Sequence, residues 1–149
     1  MMNPLQTICF IMNSLEKIIS FIEEHHVMSL ATKGSDDLSV CSLFYAFNSE
    51  NVSFIVASNE ETQHIKNIKI NSQVAGNILL ETKIIGKIQG LQFKGSFFKL
   101  EDSKLKKLYF KEFPQAIVML PTLWAIDIKY FKLTDNRLGF GKKIVYEVK

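Results

Sequence analysis

The stretch that most constrains this chain is residues 87–100, Lys-Ile-Gln-Gly-Leu-Gln-Phe-Lys-Gly-Ser-Phe-Phe-Lys-Leu. Apolar and polar side chains alternate through Leu91, Gln92, Phe93 and Lys94, the period of a β-strand, so Gln92 and Lys94 share one face and Leu91 and Phe93 the other. The run is too long for one flat strand, and Gly90 and Gly95 mark where it bends or bulges. A long strand that curls is what closing a sheet into a barrel requires.

The rest of the chain fits that requirement. Residues 27–32, 38–47 and 52–57 read as three strands joined by short polar turns, an antiparallel meander. A further strand is predicted at 74–81, and closing strands at 123–132 and 142–148. Helical spacing appears in three places. Leu15, Ile18, Ile19 and Ile22 follow the capping residues Asn13 and Ser14. Residues 61–70 place Ile65 and Ile68 inward. Residues 102–112 form a basic helix with Leu105, Leu108 and Tyr109 inside, ended by Phe113-Pro114 because proline disfavours a helical residue before it. The expected fold is therefore α+β, mainly β: antiparallel strands forming one barrel with two or three peripheral helices. With no repeat or linker, residues 13–149 are expected to form a single domain, and residues 1–12 either an N-terminal arm or a frayed leader.

Several function classes are disfavoured. A length of 149 residues allows one well-filled core, and the formal net charge of +3 is too mild for a nucleic-acid partner. The apolar run at 8–12 is too short for a membrane span or a secretory core, so a cytoplasmic protein with no membrane partner is expected. Cys9 and Cys41 sit in apolar surroundings and read as reduced thiols. His25 and His26 are adjacent and lack a spaced partner, which makes a poor metal site. No glycine-rich phosphate loop or nucleophile elbow is present.

One segment can carry ligand chemistry. Between the third strand and the second helix runs Ser58-Asn-Glu-Glu-Thr62-Gln63-His64-Ile-Lys66. A helix N-terminus presents unpaired N–H groups and partial positive charge, and hydroxyl and imidazole groups add donors. Each hydrogen bond to a charged phosphate contributes about 1.5–3 kcal/mol. Taken alone, a capped helix with a solvated face accounts for the pattern more simply.

A longer string changes the weighting. Trp124-Ala-Ile-Asp-Ile-Lys-Tyr-Phe-Lys-Leu-Thr-Asp-Asn-Arg-Leu-Gly-Phe-Gly-Lys-Lys143, with Leu91-Gln-Phe-Lys-Gly95 and Glu61-Thr-Gln-His64, resembles the YhbP-type family of the pyridoxamine-5'-phosphate-oxidase-like split β-barrels. The resemblance implies a homodimer that binds FMN at the subunit boundary and performs two-electron redox chemistry on an unidentified small molecule. It aligns Ser58 with the strand-end hydroxyl that grips the FMN phosphate, Thr62 with a serine, Gln63 with an arginine and His64 with a lysine. The last two replacements remove permanent positive charge and imply weaker binding. It lays the flavin ring along Ser42, Leu43 and Phe44, where a buried strand with Phe44 in the core is the plain alternative. It assigns Gln92 a flavin contact across the subunit boundary, while Lys94 reads as solvated. Arg137 stands either at the cofactor or substrate mouth or in a structural turn, and Trp124 beside the ring, at the dimer seam or in the core. No catalytic residue and no metal ligand are assigned. Alternatives are a non-catalytic cofactor-binding or stress-related dimer and, further off, a haem-binding split barrel.

Overall fold

Residues 27–57 form the predicted meander: β1 (Val27–Lys33), β2 (Leu38–Asn48) and β3 (Ser53–Ala57), all antiparallel. The structure is a computed structural model, and it describes Met1 and residues 3–148, with side chains except at residues 7–12. The thiol of Cys9 lies outside the described side chains. After β3 come α2 (Gln63–Ile70), β4 (Gln73–Leu80), β5 (Gln89–Lys99), α3 (Ser103–Glu112), β6 (Leu123–Asp135) and β7 (Lys143–Glu147). The chain opens with α1 (Pro4–Glu24).

The sheet runs β3-β2-β1-β4-β5-β6-β7, and β3 also pairs with β6. Six strands therefore close into a barrel, with β7 as an extra strand. Closure depends on the length of β6, 13 residues. One edge of β6 pairs with β5 throughout. The other edge pairs first with β3, Leu123 to Asp127, and then with β7, Tyr130 to Thr134.

The predicted curl lies at Gly95. Lys94 pairs with Tyr130, but Gly95 pairs with Ile128, so Lys129 is the extra residue of a bulge on β6. A Cβ at position 95 would run into the Asp127 carbonyl oxygen, so only glycine allows this approach. Gly90 does not bend the strand: it pairs regularly with Leu79 and Thr134.

Alternation fills the barrel. Leu91 and Phe93 from β5, Met28 and Leu30 from β1, and Phe131 and Leu133 from β6 are all buried. Phe54 is at the centre, with ring centroids 5.0 Å from Tyr45, 5.1 Å from Phe47 and 5.1 Å from Phe93. Burying each such ring stabilises the fold by about 1.5–3 kcal/mol. Ile18, Phe21 and Ile22 of α1 join this core, and the Tyr45 hydroxyl donates to the Ile22 carbonyl at 2.6 Å. A second cluster lies under α3, where Leu100, Tyr109, Leu123 and Ala125 meet.

The first helix starts earlier than the capping residues Asn13 and Ser14 predict. Asn3 is its N-cap, with a reciprocal bond pair to Gln6 and Pro4 in the first turn. That combination satisfies the orphan donors at the helix start, so Asn13 and Ser14 lie inside the helix. No helix among the described residues is long and apolar enough to cross a membrane.

Candidate functional site

Strand β3 ends at Ala57, and the chain then turns through Ser58 to Thr62 into α2. Ser58 is fixed from both sides. Its N–H donates to the Thr122 carbonyl at 3.0 Å, and its own carbonyl accepts the Trp124 indole N–H at 2.9 Å. Trp124 is 3% exposed, so it is a core residue that braces this corner from beneath.

Three of the predicted residues meet here. The Ser58 hydroxyl lies 2.5 Å from His64 Nε2 and 3.3 Å from the Thr62 hydroxyl. Thr62 Oγ1 is 3.2 Å from the same imidazole nitrogen and donates to the Asn59 carbonyl at 2.9 Å. Thr62 is the N-cap of α2, yet its side chain makes no capping bond to the helix. The amides of the first turn are thus left without their usual side-chain acceptor, which suits an anion. Burial holds the half-buried His64 imidazole below its ordinary value of 6.5, so it is neutral near pH 7.

Gln63 is directed elsewhere. Its amide donates to Asn67 Oδ1 at 3.0 Å. Asn67 in turn donates to the Asp37 carboxylate at 2.7 Å and to the Thr32 hydroxyl at 3.1 Å. This network anchors α2 over the turn between β1 and β2. The sequence reading missed Asn67, and the only signal was its place between the inward Ile65 and Ile68.

The second predicted segment adjoins the first. The β2–β3 ladder ends at Tyr45 paired with Val56, so Phe44 and Leu43 lie just past it on β2, as Ala57 and Ser58 do on the β3 side. The Tyr45 N–H donates to the His26 carbonyl at 3.0 Å, which sets the phase of the β1–β2 ladder. Leu43 therefore spends its backbone groups on β1, and its side chain is buried in the barrel. Ser42 has its backbone groups on the edge that β3 does not reach, and its side chain is exposed. Phe44 is not in the core: it is 54% exposed, parallel to His26 at 6.1 Å and edge-on to Phe113 at 5.5 Å.

Gln92 stands apart. It is exposed on the outer face of β5, opposite Asn77 of β4 and Lys132 of β6. It lines a groove of about 360 Å³ with Ser29, Val40, Ala75, Lys94 and Tyr130. Within one chain it does not meet the Ser58 corner. Arg137 forms a fork on Asp135, with bonds of 3.0 and 2.9 Å, and also donates to Gln89 at 2.9 Å. Its guanidinium holds the buried Asp135 carboxyl below the usual range. The structural turn is therefore the reading the geometry supports for Arg137.

A closed antiparallel barrel of six strands with one extra strand places the chain among the split β-barrels. Solved structures agree at the level of fold. They include a haem-binding protein of Mycobacterium smegmatis (TM-score 0.76, 12% identity, covering 90% of this chain and 57% of that one). An FAD-binding protein of Mesorhizobium loti has a TM-score of 0.67 at 12% identity, covering 88% and 93%. A protein of the pyridoxine-phosphate oxidase family from Clostridium acetobutylicum, related to general stress protein 26, has a TM-score of 0.67 at 15% identity, covering 91% and 95%. No family model matches the chain.

Sequence relatives narrow the assignment. A UPF0306 protein of Photorhabdus laumondii is 35% identical over 142 residues, covering 91% of this chain and 99% of the relative. The UPF0306 protein YhbP of Escherichia fergusonii is 32% identical over 138 residues, covering 91% and 94%. The chain belongs to the UPF0306 (YhbP) family.

Proposed function

We propose that the chain binds flavin mononucleotide as a homodimer, with the phosphate at the Ser58–Thr62–His64 corner, and acts as an oxidoreductase on a small molecule. The observation that carries this reading is the uncapped start of α2, where Thr62 turns its hydroxyl to Ser58 and His64 instead of to the helix amides. The donor set fits a phosphate: the Ser58 hydroxyl, the His64 imidazole and first-turn amides, joined by the Thr62 hydroxyl when it turns from the Asn59 carbonyl. Ser42 offers backbone groups beside it for the edge of a ring, and Phe44 an exposed aromatic face. When bound, a flavin supplies the acceptor for a hydride or for electrons. The chain's own residues hold, orient and partly bury it.

A second copy is part of the proposal. The outer barrel face exposes Val40, Phe44 and Leu79, apolar side chains that a partner would cover. Gln92 lies on that face too, and only another copy can bring such a residue to the Ser58 corner.

The test is an absorbance spectrum of the protein as purified, a titration with FMN and a mass measurement by light scattering. A dimer whose bound flavin is reduced by NADH or NADPH is expected. Bound flavin that neither nucleotide reduces would favour a non-catalytic role. A Soret band on haem titration, with no response to FMN, would favour haem and defeat the flavin reading.

A further inference from the structure

We infer that Lys99 provides the cation the phosphate corner lacks, released from Glu60 when a phosphate monoester arrives, so that the site selects phosphorylated over unphosphorylated flavin. The inference rests on the flavin reading above and concerns how that site discriminates.

The corner carries no fixed positive charge. Ser58 and Thr62 are neutral, burial keeps His64 uncharged near neutral pH, and Gln63 is committed to Asn67. The loop that forms the corner instead carries two carboxylates, Glu60 and Glu61, both exposed. A dianionic phosphate is repelled by such a loop unless a cation stands by.

One cation is already joined to the loop. The Lys99 ammonium donates to Glu60 Oε1 at 2.9 Å, and the two side chains are 53% and 44% exposed. Glu60 raises the Lys99 pKa, chiefly through this hydrogen bond, and Lys99 lowers that of Glu60 in the same way. Lys99 also belongs to the right end of the barrel. It lies opposite Trp124 in the β5–β6 ladder, and Trp124 holds the Ser58 carbonyl. Lys66 and Lys69 are exposed along α2 itself; the charge of Lys69 also lowers the Glu60 pKa, but less than Lys99 does.

Exchange of partner is energetically easy. An exposed ion pair contributes little, and a lysine ammonium is a mobile point charge on a flexible stem. A charge-assisted bond to phosphate is stronger than that pair. Glu60 thus screens Lys99 in the absence of phosphate and competes weakly in its presence.

The experiment compares FMN with riboflavin, which differs by the phosphate alone, on the full-length protein and on Lys99→Ala, Lys99→Arg and Glu60→Gln variants. Lys99→Ala is expected to weaken FMN about tenfold while moving riboflavin by less than about twofold. Lys99→Arg keeps most of the FMN affinity, and Glu60→Gln tightens FMN at low salt, an effect that fades as salt rises. An FMN-to-riboflavin ratio unchanged by Lys99→Ala, or equal loss of both ligands, overturns the role of Lys99 while leaving the flavin site intact. A wild-type protein that ignores FMN removes the flavin reading and this inference with it.

Discussion

The Asn67 side-chain amide donates to the Asp37 carboxylate at 2.7 Å, joining α2 to the turn between β1 and β2. Asn67 is 1% exposed, and its other bonds go to Thr32 and Gln63. A Cβ on Gly34 of the same turn would come within 2.6 Å of Asn67 Oδ1, so the turn is built around this amide. Substituting Asn67→Ala leaves the buried Thr32 hydroxyl without its donor. A loss of about 1–3 kcal/mol is expected by urea unfolding. Asn67→Asp, which sets a second carboxylate against Asp37, costs more still. A variant as stable as wild type would show that α2 is held by Ile65 and Ile68 alone.

His64 gives a pH signature. Burial depresses its folded-state value below 6.5, so the unfolded chain binds the proton more readily than the folded one. Stability from this group is fully present above 6.5, declines as pH falls below that value, and is lost once pH passes the depressed folded value. His64→Gln removes this slope. The check is the melting temperature of both proteins between pH 7.5 and pH 5, where the wild type is expected to fall faster on acidification.

Gly95 tests the closure of the barrel. Its neighbours leave no room for a methyl group, since the Asp127 carbonyl and the Ile126 side chain crowd the Cβ position. Gly95→Ala forces those strands apart at the bulge and is expected to cost about 1–3 kcal/mol in chemical denaturation. Gly86→Ala, with nothing within 4 Å of its Cβ position, is the control and should stay near wild type.

How far the sequence reveals this architecture varies with the range of the forces involved. The alternation in residues 87–100 and the turn residues between the first strands act locally, so the barrel strands and the curl at Gly95 were legible. Gly90 misled because a glycine in a strand looks the same whether it bends the strand or merely packs beside Leu79, 3.6 Å from where its Cβ would lie. The start of α1 is not legible because Asn3 and Pro4 precede the apolar helical pattern that marks the rest of the helix. That Ser58 and Thr62 lie together at a strand end and a helix start is legible from their positions in the sequence. The direction of Gln63 is not, because Asn67 determines it and Asn67 is itself held by Asp37, 30 residues away in the chain. Glu60 and Lys99 are 39 residues apart, and no local pattern joins them.

The most direct measurement of the central claim is FMN binding to wild type and to a Thr62→Val/His64→Leu variant, followed by flavin fluorescence and by the emission of Trp124. Trp124 is the sole tryptophan, and its indole is bonded to Ser58, so flavin held at this corner should quench it by energy transfer. The account predicts saturable quenching of both signals in the wild type and a loss of affinity of about tenfold or more in the variant. Equal FMN affinity in the two proteins, with the variant still folded, would contradict it.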